Sequence, residues 1–368
     1  MNFDLSDEQL LLEETVDKFL GTECPMTRVR ELFDGDEGYD EAVWRGLGEM
    51  GVLGLHLPED VGGAGLELLE LSVVAEAIGR HATPGPFLEH ALAAMAIDLG
   101  GSDAQRERWL PQLATGELRA TFAIAEGPAE GAAAGGAEGS WRPEQWQIGD
   151  GAVVSGEKRF VPHARGADLF VVGLRGGGFG LVESAASGLA TERVEGLDRT
   201  RRLDSVRFDE TPCDPLPRGA EVANRVLDAG LVLLAADAHG GGMACVDASV
   251  EYAKTREQFG VKIGSFQALK HQLADMAVEI HPTRGLVWYA AHAFDHLPDE
   301  APAAAANAKA HLTDRFVDVA RRTVEAHGGI GYTWECDVQF WFKRSLFDWA
   351  MLGDPSLHRR RIADLLGW

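Results

Sequence analysis

The pattern of apolar residues changes twice along the chain, and these changes limit the folds open to it. Residues 1–120 carry apolar side chains at helical spacing, and the stretch SDEQLLLEETVDKFL opens with a capping pattern at Ser6. Residues 121–217 contain short runs such as ADLFVVGL and RRLDSVRFDE between turn residues, which predict strands. Residues 218–368 return to helical spacing over very long segments. We therefore expect an α+β chain with an N-terminal helical domain, a small central β-domain and a C-terminal helix bundle.

Composition excludes several classes of partner. The net charge of −24 and the pI near 4.8 argue against nucleic acid and anionic membranes as binding partners. The four cysteines form no C-x-x-C pair, as expected for reduced thiols in a cytoplasmic protein. The acidic, amphipathic N-terminus does not resemble a signal peptide, and no apolar run looks long enough to span a membrane.

Two segments suggest phosphate binding. The first, YAKTREQFGVKIGSFQALKHQLADM, places Arg256 near a predicted helix end before Gly260. A guanidinium there can grip a phosphate through two parallel hydrogen bonds, or it can simply complement the helix dipole. The second, EAHGGIGYTWE, has adjacent glycines at Gly328 and Gly329. These glycines predict either a close approach of the backbone to a phosphate or a helix C-cap turn.

The same two segments carry a family resemblance. REQFGVKIGSFQALKHQLADM and HGGIGYTWE resemble the two signatures of the flavin-dependent acyl-CoA dehydrogenases, and LPEDVGGAG near the N-terminus fits the same family. The resemblance implies an N-terminal helical domain, a central β-domain and a C-terminal four-helix bundle, with FAD bound at a dimer contact by both subunits. It further implies that Arg256, Phe259 and Gln267 bind the FAD of the partner subunit, and that Gly328 and Gly329 approach that partner's nucleotide.

By this resemblance the catalytic base is missing. The family places a glutamate at one of two positions, which Leu352 and Gly230 occupy here, and neither residue can abstract a proton. Two carboxylates are weak substitutes: Asp237 on the same predicted helix face as Gly230, and Asp354 within GDP. Asp228 faces a different side of that helix and is a weaker candidate still.

The chain's own FAD cradle also departs from the family pattern. Phe160, Val161 and Pro162 stand where the family has Trp-x-Thr, and proline offers neither a hydroxyl nor an N–H donor. The loop AEGPAEGAA lacks the Ser and Asp of the family loop. The partner-facing residues are thus kept and the chain's own site is altered. This pattern resembles the base-lacking subunit of actinobacterial α2β2 acyl-CoA dehydrogenases, many of which act on CoA-linked sterol side chains. It implies a second homologous subunit, an acyl-CoA substrate and fewer FAD molecules than chains.

Glu325 is the one departure on the partner-facing side. The family usually has glutamine there, and a carboxylate near a pyrophosphate is repulsive unless it is paired. The sequence offers Arg321, Arg322 and Lys343 as pairing partners.

Other functions remain open at this point. A flavin monooxygenase of the same fold needs no base to remove an α-proton, and a structural subunit would bind no flavin at all. A metal site has one candidate, His292 and His296 with Asp295 between them, but no further ligand lies nearby in sequence, so we expect no metal. The small residues of AADAHGGGMA fit either a roomy substrate site or, as we favour, tight helix packing.

Overall fold

The structure is a computed structural model that describes residues 4–36, 38–126 and 141–368. Most of the altered loop AEGPAEGAA, from residue 127 onward, lies outside the described residues. The helices are α1 (Asp7–Glu23), α2 (Met26–Asp34), α3 (Glu41–Glu49), α4 (Leu68–Arg80), α5 (Phe87–Gly100), α6 (Asp103–Thr115), α7 (Gly219–Thr255), α8 (Gln267–Ile280), α9 (Arg284–His296), α10 (Ala301–Ala326), α11 (Val338–Ala350) and α12 (Pro355–Leu366). The strands are β1 (Ala120–Ala123), β2 (Val153–Pro162), β3 (Leu169–Gly173), β4 (Phe179–Glu183), β5 (Leu189–Val194), β6 (Leu203–Pro212), β7 (Asp214–Pro215), β8 (Glu257–Gln258) and β9 (Val261–Lys262).

This order confirms the predicted helix–strand–helix fold class. The chain forms two compact units: one contains the described residues up to Asp34 together with Ser72–Thr83 and Leu231–Trp368, and the other contains Gly35–Leu71 and Pro84–Gly230. The predicted domain limits of 1–120, 121–217 and 218–368 stay a prediction.

The second unit holds the two β-sheets of the central domain. One sheet has the strand order β1-β3-β4-β7, with β1 parallel to β3, and the other has the order β2-β6-β5 with antiparallel pairs. Their apolar residues, among them Val154, Phe170 and Phe208, are almost fully buried in one cluster. Four short apolar runs predicted β2, β3, β4 and β6 correctly: GAVVSGEKRFVP, ADLFVVGL, GFGLVES and RRLDSVRFDE. They missed β5, whose residues are all partly or fully exposed and give no strong apolar alternation.

From Leu231 onward, helix α7 belongs to the first unit, where α4 and α10 pack against it. The helix is 37 residues long, which corresponds to about 55 Å at ~1.5 Å per residue. A Cβ on Gly240 would lie 1.9 Å from the backbone oxygen of Glu76, and one on Gly241 would lie 2.3 Å from the ring of Phe316. These glycines therefore allow α4 and α10 to pack closely against α7, as the tight-packing interpretation predicts.

Two sequence expectations about helices were wrong. The helical spacing of SFQALKHQLADMAVEIHPTRGLVWYAAHAFDHL, residues 265–297, predicts one long helix, but a 3-10 turn at His281–Thr283 separates α8 from α9. Pro282 explains the break, because its ring clashes with the preceding turn and it has no N–H to donate. Helix α7 also contains an apolar stretch long enough to cross a membrane, contrary to our expectation, but 89% of that stretch is buried inside the protein, as in a core helix.

Candidate functional site

Arg256 stands between the end of α7 and a short hairpin. Its backbone N–H donates to the oxygen of Tyr252 at 2.8 Å, and its backbone oxygen accepts from Ile263 at 2.9 Å, so the backbone on both sides is held. Its side chain is exposed, and no described residue lies within ion-pair or hydrogen-bond distance of the guanidinium. The helix ends at Thr255 rather than at Gly260, which lies between β8 and β9 with a φ of +79°. Because its backbone is held and its guanidinium has no partner among the described residues, Arg256 is free to bind an anion from outside the chain.

Phe259 and Gln267 flank this arginine. Phe259 is 91% exposed, and its backbone adopts a φ of +54°, a conformation that non-glycine residues rarely take. Its ring meets that of Phe266 edge-on, with centroids 6.2 Å apart. Gln267 begins α8 and is also exposed. These side chains form an open surface that this chain's own packing does not use.

Gly328 and Gly329 lie in the turn that follows α10. Gly328 has a φ of +63°, which favours glycine, while a Cβ on Gly328 or Gly329 would meet no atom within 4 Å. A Cβ on Gly331, in contrast, would lie 2.3 Å from the oxygen of Val324. Helix termination therefore accounts for Gly328 and internal packing for Gly331. Neither accounts for Gly329, which leaves room for an external group to approach the backbone.

The structure brings the two signature segments together. The ring of Tyr252, one turn before Arg256, stacks on that of His327, with centroids 4.4 Å apart. Nearby, the hydroxyl oxygens of Ser249 and Thr323 lie 3.2 Å apart. These contacts hold the end of α7 against the end of α10. No local pattern in the sequence predicts this pairing, because the partners are more than seventy positions apart.

Glu325 is paired, and the partner is one of the three that the sequence offered. Arg321 donates to it at 2.5 Å, one helical turn earlier, and also contacts Asp318 at 3.1 Å. Hydrogen bonds and attraction from Asp318 and Glu325 raise the pKa of Arg321 further above its ordinary value. Arg322 instead contacts Asp318 at 2.8 Å, and Lys343 donates to Gln339. Because Arg321 offsets the Glu325 charge, this carboxylate is less repulsive to an approaching phosphate.

The two positions where the family resemblance implies a base carry side chains that accept no proton. Leu352 follows α11, is only 3% exposed and has a φ of +59°. Gly230 is buried within α7. Asp354 caps α12, where its Oδ1 accepts from the N–H of Leu357 at 2.8 Å. Aspartate before proline is commonly a turn residue, and the capping bond gives the carboxylate of Asp354 such a structural function.

Asp237 makes a buried ion pair that the sequence did not reveal. Nε of Arg344 donates to Oδ1 at 2.7 Å, and Nη2 donates to Oδ2 at 2.5 Å. Both side chains are at most 1% exposed, and Nη1 of Arg344 also donates to the oxygen of Thr83. Both carboxylate oxygens of Asp237 are thus held by a fixed guanidinium, which argues against Asp237 as the substitute base.

A buried lysine fixes the backbone around Leu352. Nζ of Lys309 donates to the oxygens of Trp349 at 3.2 Å and Gly353 at 3.0 Å. Burial lowers the pKa of Lys309 to about 7, against the attraction of Asp348 and other acids nearby. On the same segment, Nε2 of His358 lies 3.0 Å from the oxygen of Leu352. Sequence reasoning missed this support, since a lysine in a helix is usually solvated.

The segment at the Trp-x-Thr position offers little to a flavin. Phe160 is 43% exposed with a φ of +54°, and Val161 is buried. The oxygen of Pro162 accepts a hydrogen bond from the hydroxyl of Thr121 at 2.6 Å. The residues present therefore do not reproduce the hydroxyl donor that the family resemblance implies at this position.

The rings of the two histidines considered for metal binding lie against each other. His292 and His296 have ring centroids 4.6 Å apart. Within residues 4–36, 38–126 and 141–368, no three His, Cys, Asp or Glu side chains are grouped so that they could hold a metal ion.

Comparison with known families decides what this chain is. Residues 6–117 match the acyl-CoA dehydrogenase N-terminal domain, and residues 217–367 match the acyl-CoA dehydrogenase C-terminal domain. The chain belongs to the acyl-CoA dehydrogenase family. Members of this family are oxidoreductases that bind FAD, so the expected enzyme class and cofactor are confirmed.

One curated relative and two solved structures are similar to almost the whole chain. Acyl-CoA dehydrogenase IpdE2 of Mycobacterium tuberculosis is 33% identical over 357 residues, covering 97% of this chain and 96% of the relative. Among solved structures, the Tcur3481-Tcur3483 steroid ACAD is similar, with a TM-score of 0.88, 32% identity and 98% of each chain covered. The ChsE4-ChsE5 complex from Mycobacterium tuberculosis gives a TM-score of 0.87 at 26% identity, covering 100% of this chain and 99% of that one.

Proposed function

We propose that this acyl-CoA dehydrogenase chain is the subunit of a heterotetramer that lacks the catalytic base and completes the FAD site of its partner. The observation that carries the proposal is the contrast between two regions of the chain. Leu352 and Gly230 stand at the base positions without a proton acceptor, whereas Arg256 presents an exposed guanidinium with no partner among the described residues. A chain that works alone would need the first region to be intact.

The residues of this chain then have binding roles. The guanidinium of Arg256 binds the pyrophosphate of a FAD lodged mainly in the partner subunit, with Phe259 and Gln267 beside it. The turn at Gly328 and Gly329 brings backbone near the same nucleotide, and Arg321 neutralises Glu325 there. When bound, FAD accepts hydride from the substrate β-carbon. Removal of the α-proton falls to the partner subunit.

The reaction is the formation of an α,β-double bond in an acyl-CoA, and the proposed substrate class is a CoA thioester of a steroid side chain. Similarity to a steroid ACAD supports this class. Similarity to two structures that are each named for two components, Tcur3481-Tcur3483 and the ChsE4-ChsE5 complex, supports a second, homologous acyl-CoA dehydrogenase subunit in an α2β2 assembly. A cytoplasmic location fits an enzyme that uses CoA thioesters and FAD.

Co-expression with a homologous acyl-CoA dehydrogenase subunit from a neighbouring gene tests the proposal. We expect the purified complex to contain one FAD for each pair of different chains, and to dehydrogenate bulky acyl-CoAs. Arg256→Gln in the complex should lower the FAD content. Arg45→Gln, a control at an exposed arginine of α3, should not.

Three results would contradict the proposal or favour one of its alternatives. If the chain alone binds one FAD per subunit and dehydrogenates acyl-CoA, the proposal is wrong. If Arg256→Gln leaves the FAD content of the complex unchanged, the chain is a structural subunit. If reduced flavin bound to the complex consumes oxygen while acyl-CoA is not dehydrogenated, the monooxygenase alternative gains support.

A further inference from the structure

A polar cavity of about 620 Å³ lies within the first unit, among α1, α4, α7 and the turn before α9. Its lining includes none of the residues assigned above to the cofactor or to the base positions. The lining combines the apolar side chains of Leu10, Val73, Ala77 and Met243 with the polar side chains of His239, Glu76 and Arg284. A lining that combines apolar and polar groups is suited to a small amphipathic ligand.

The hydrogen bonds of His239 fix its tautomer. Nδ1 of His239 lies 3.1 Å from the hydroxyl oxygen of Thr283, and that hydroxyl donates its proton to the oxygen of Ile280 at 2.7 Å. Because a hydroxyl has one proton, Nδ1 of the imidazole must be the donor to Thr283. Nε2 therefore carries a lone pair and acts as an acceptor.

His239 stays neutral in this setting. The side chain is only 2% exposed, and burial lowers the pKa of His239 to about 3, with the positive charges of Arg284, His281 and Arg80 acting in the same direction. At neutral pH the imidazole is thus uncharged, and its Nε2 presents a lone pair as a hydrogen-bond acceptor.

Glu76 places a second acceptor opposite this nitrogen. Oε2 of Glu76 accepts from Nε of Arg284 at 3.1 Å, while Oε1 lies 3.8 Å from Nε2 of His239. This separation is too long for a direct hydrogen bond. It is also shorter than twice a normal hydrogen-bond length of about 2.9 Å, so a single donor atom can reach both acceptors.

The charges around the cavity favour a cationic donor. Arg284 is already paired with Glu13 and Glu76, and Arg80 is paired with Asp247 at 2.7 Å. Glu14 and Asp17 add two more carboxylates to the lining. Both arginines of the lining are therefore already paired with carboxylates, and the four carboxylates of the lining outnumber them, so a bound ammonium would meet a net negative lining.

We propose that this cavity binds a primary alkylammonium ligand, whose nitrogen donates to Nε2 of His239 and to Oε1 of Glu76. The alkyl chain lies along Leu10, Val73, Ala77 and Met243. A metal ion is a poorer fit, because the described part of the chain groups no three metal-ligating side chains here. An anion would face the carboxylates that dominate the lining.

Isothermal titration of the full chain tests this site with hexylammonium, 1-hexanol and hexanoate. Burial raises the pKa of Glu76 to about 7. Because pH 8 lies above this value, the carboxylate of Glu76 is mostly ionised in the assay. We expect saturable one-to-one binding of hexylammonium and much weaker or no binding of the other two probes. Equal binding of 1-hexanol, or no binding of hexylammonium, overturns the proposal without any variant.

Substitutions in the cavity lining test whether hexylammonium binds at the proposed site. Glu76→Gln and His239→Phe should each weaken hexylammonium binding at least about tenfold, since the first removes the negative charge opposite the bound ammonium and the second removes the acceptor Nε2. Glu8→Gln removes the same charge from an exposed position of α1 and should leave binding unchanged. If Glu8→Gln weakens binding as much as Glu76→Gln does, the effect is one of overall charge and the proposed site is wrong.

Discussion

The buried pair between Asp237 and Arg344 offers a sharp test of what stabilises the C-terminal bundle. Both side chains are at most 1% exposed and share two hydrogen bonds, so each charge depends on the other for compensation. Removal of one partner leaves an uncompensated buried charge, which costs about 3–5 kcal/mol of unfolding free energy. Asp237→Leu and Arg344→Met should each show a loss of this size.

Calorimetry makes the loss measurable as a shift in melting temperature. An unfolding entropy of about 2.1 cal/mol/K per residue gives about 0.8 kcal/mol/K for 368 residues. Each single variant should therefore melt about 4–6 °C below the parent protein. The double variant Asp237→Leu/Arg344→Met removes both charges, so it should melt much closer to the parent than either single variant.

The control is an exposed ion pair on the same helix. Lys254 and Glu251 are 63% and 66% exposed, and Glu251→Gln should shift the melting temperature by less than about 1 °C. Two outcomes would refute the reasoning. One is a pair of single variants that melt like the parent; the other is a double variant whose loss equals the sum of the two single losses.

Three further predictions concern packing, the cofactor surface and pH. Gly240→Ala should destabilise the chain by more than about 2 kcal/mol, because its Cβ would lie 1.9 Å from a backbone oxygen of α4, and urea unfolding measures this. Gly329→Ala has open space, so unfolding in urea should be unchanged within about 0.5 kcal/mol while FAD content of the heteromeric complex falls. The folded pKa of Lys309 is about 7, below its ordinary value of 10.5, so the unfolded chain binds more protons between these pH values and stability should rise with pH there. Lys309→Met should flatten that rise in melting temperature, and an equal rise in both proteins would contradict the assignment.

Much of the fold follows from local patterns. The capping box at Ser6 and Gln9, the long α7 and most strands of the central sheets depend on neighbours within a few positions, so periodicity and capping residues predict them. The pairing of Glu325 with Arg321 is equally local, one helical turn apart. Contiguous signatures likewise pointed to the exposed surface around Arg256, for which we propose a role in binding the partner's FAD.

Tertiary structure decided the rest, because the deciding contacts join distant segments. Asp237 was weighed as a base from its place on the helix face, but Arg344, which holds both of its oxygens, is 107 positions away. The stacking of Tyr252 on His327 and the cavity at His239 depend in the same way on helices that meet only in the folded chain. The sequence by itself determined that Leu352 and Gly230 stand at the two positions where the family resemblance implies a glutamate. Only the packing of the helices determined which remaining charged groups are engaged and which are open to a ligand.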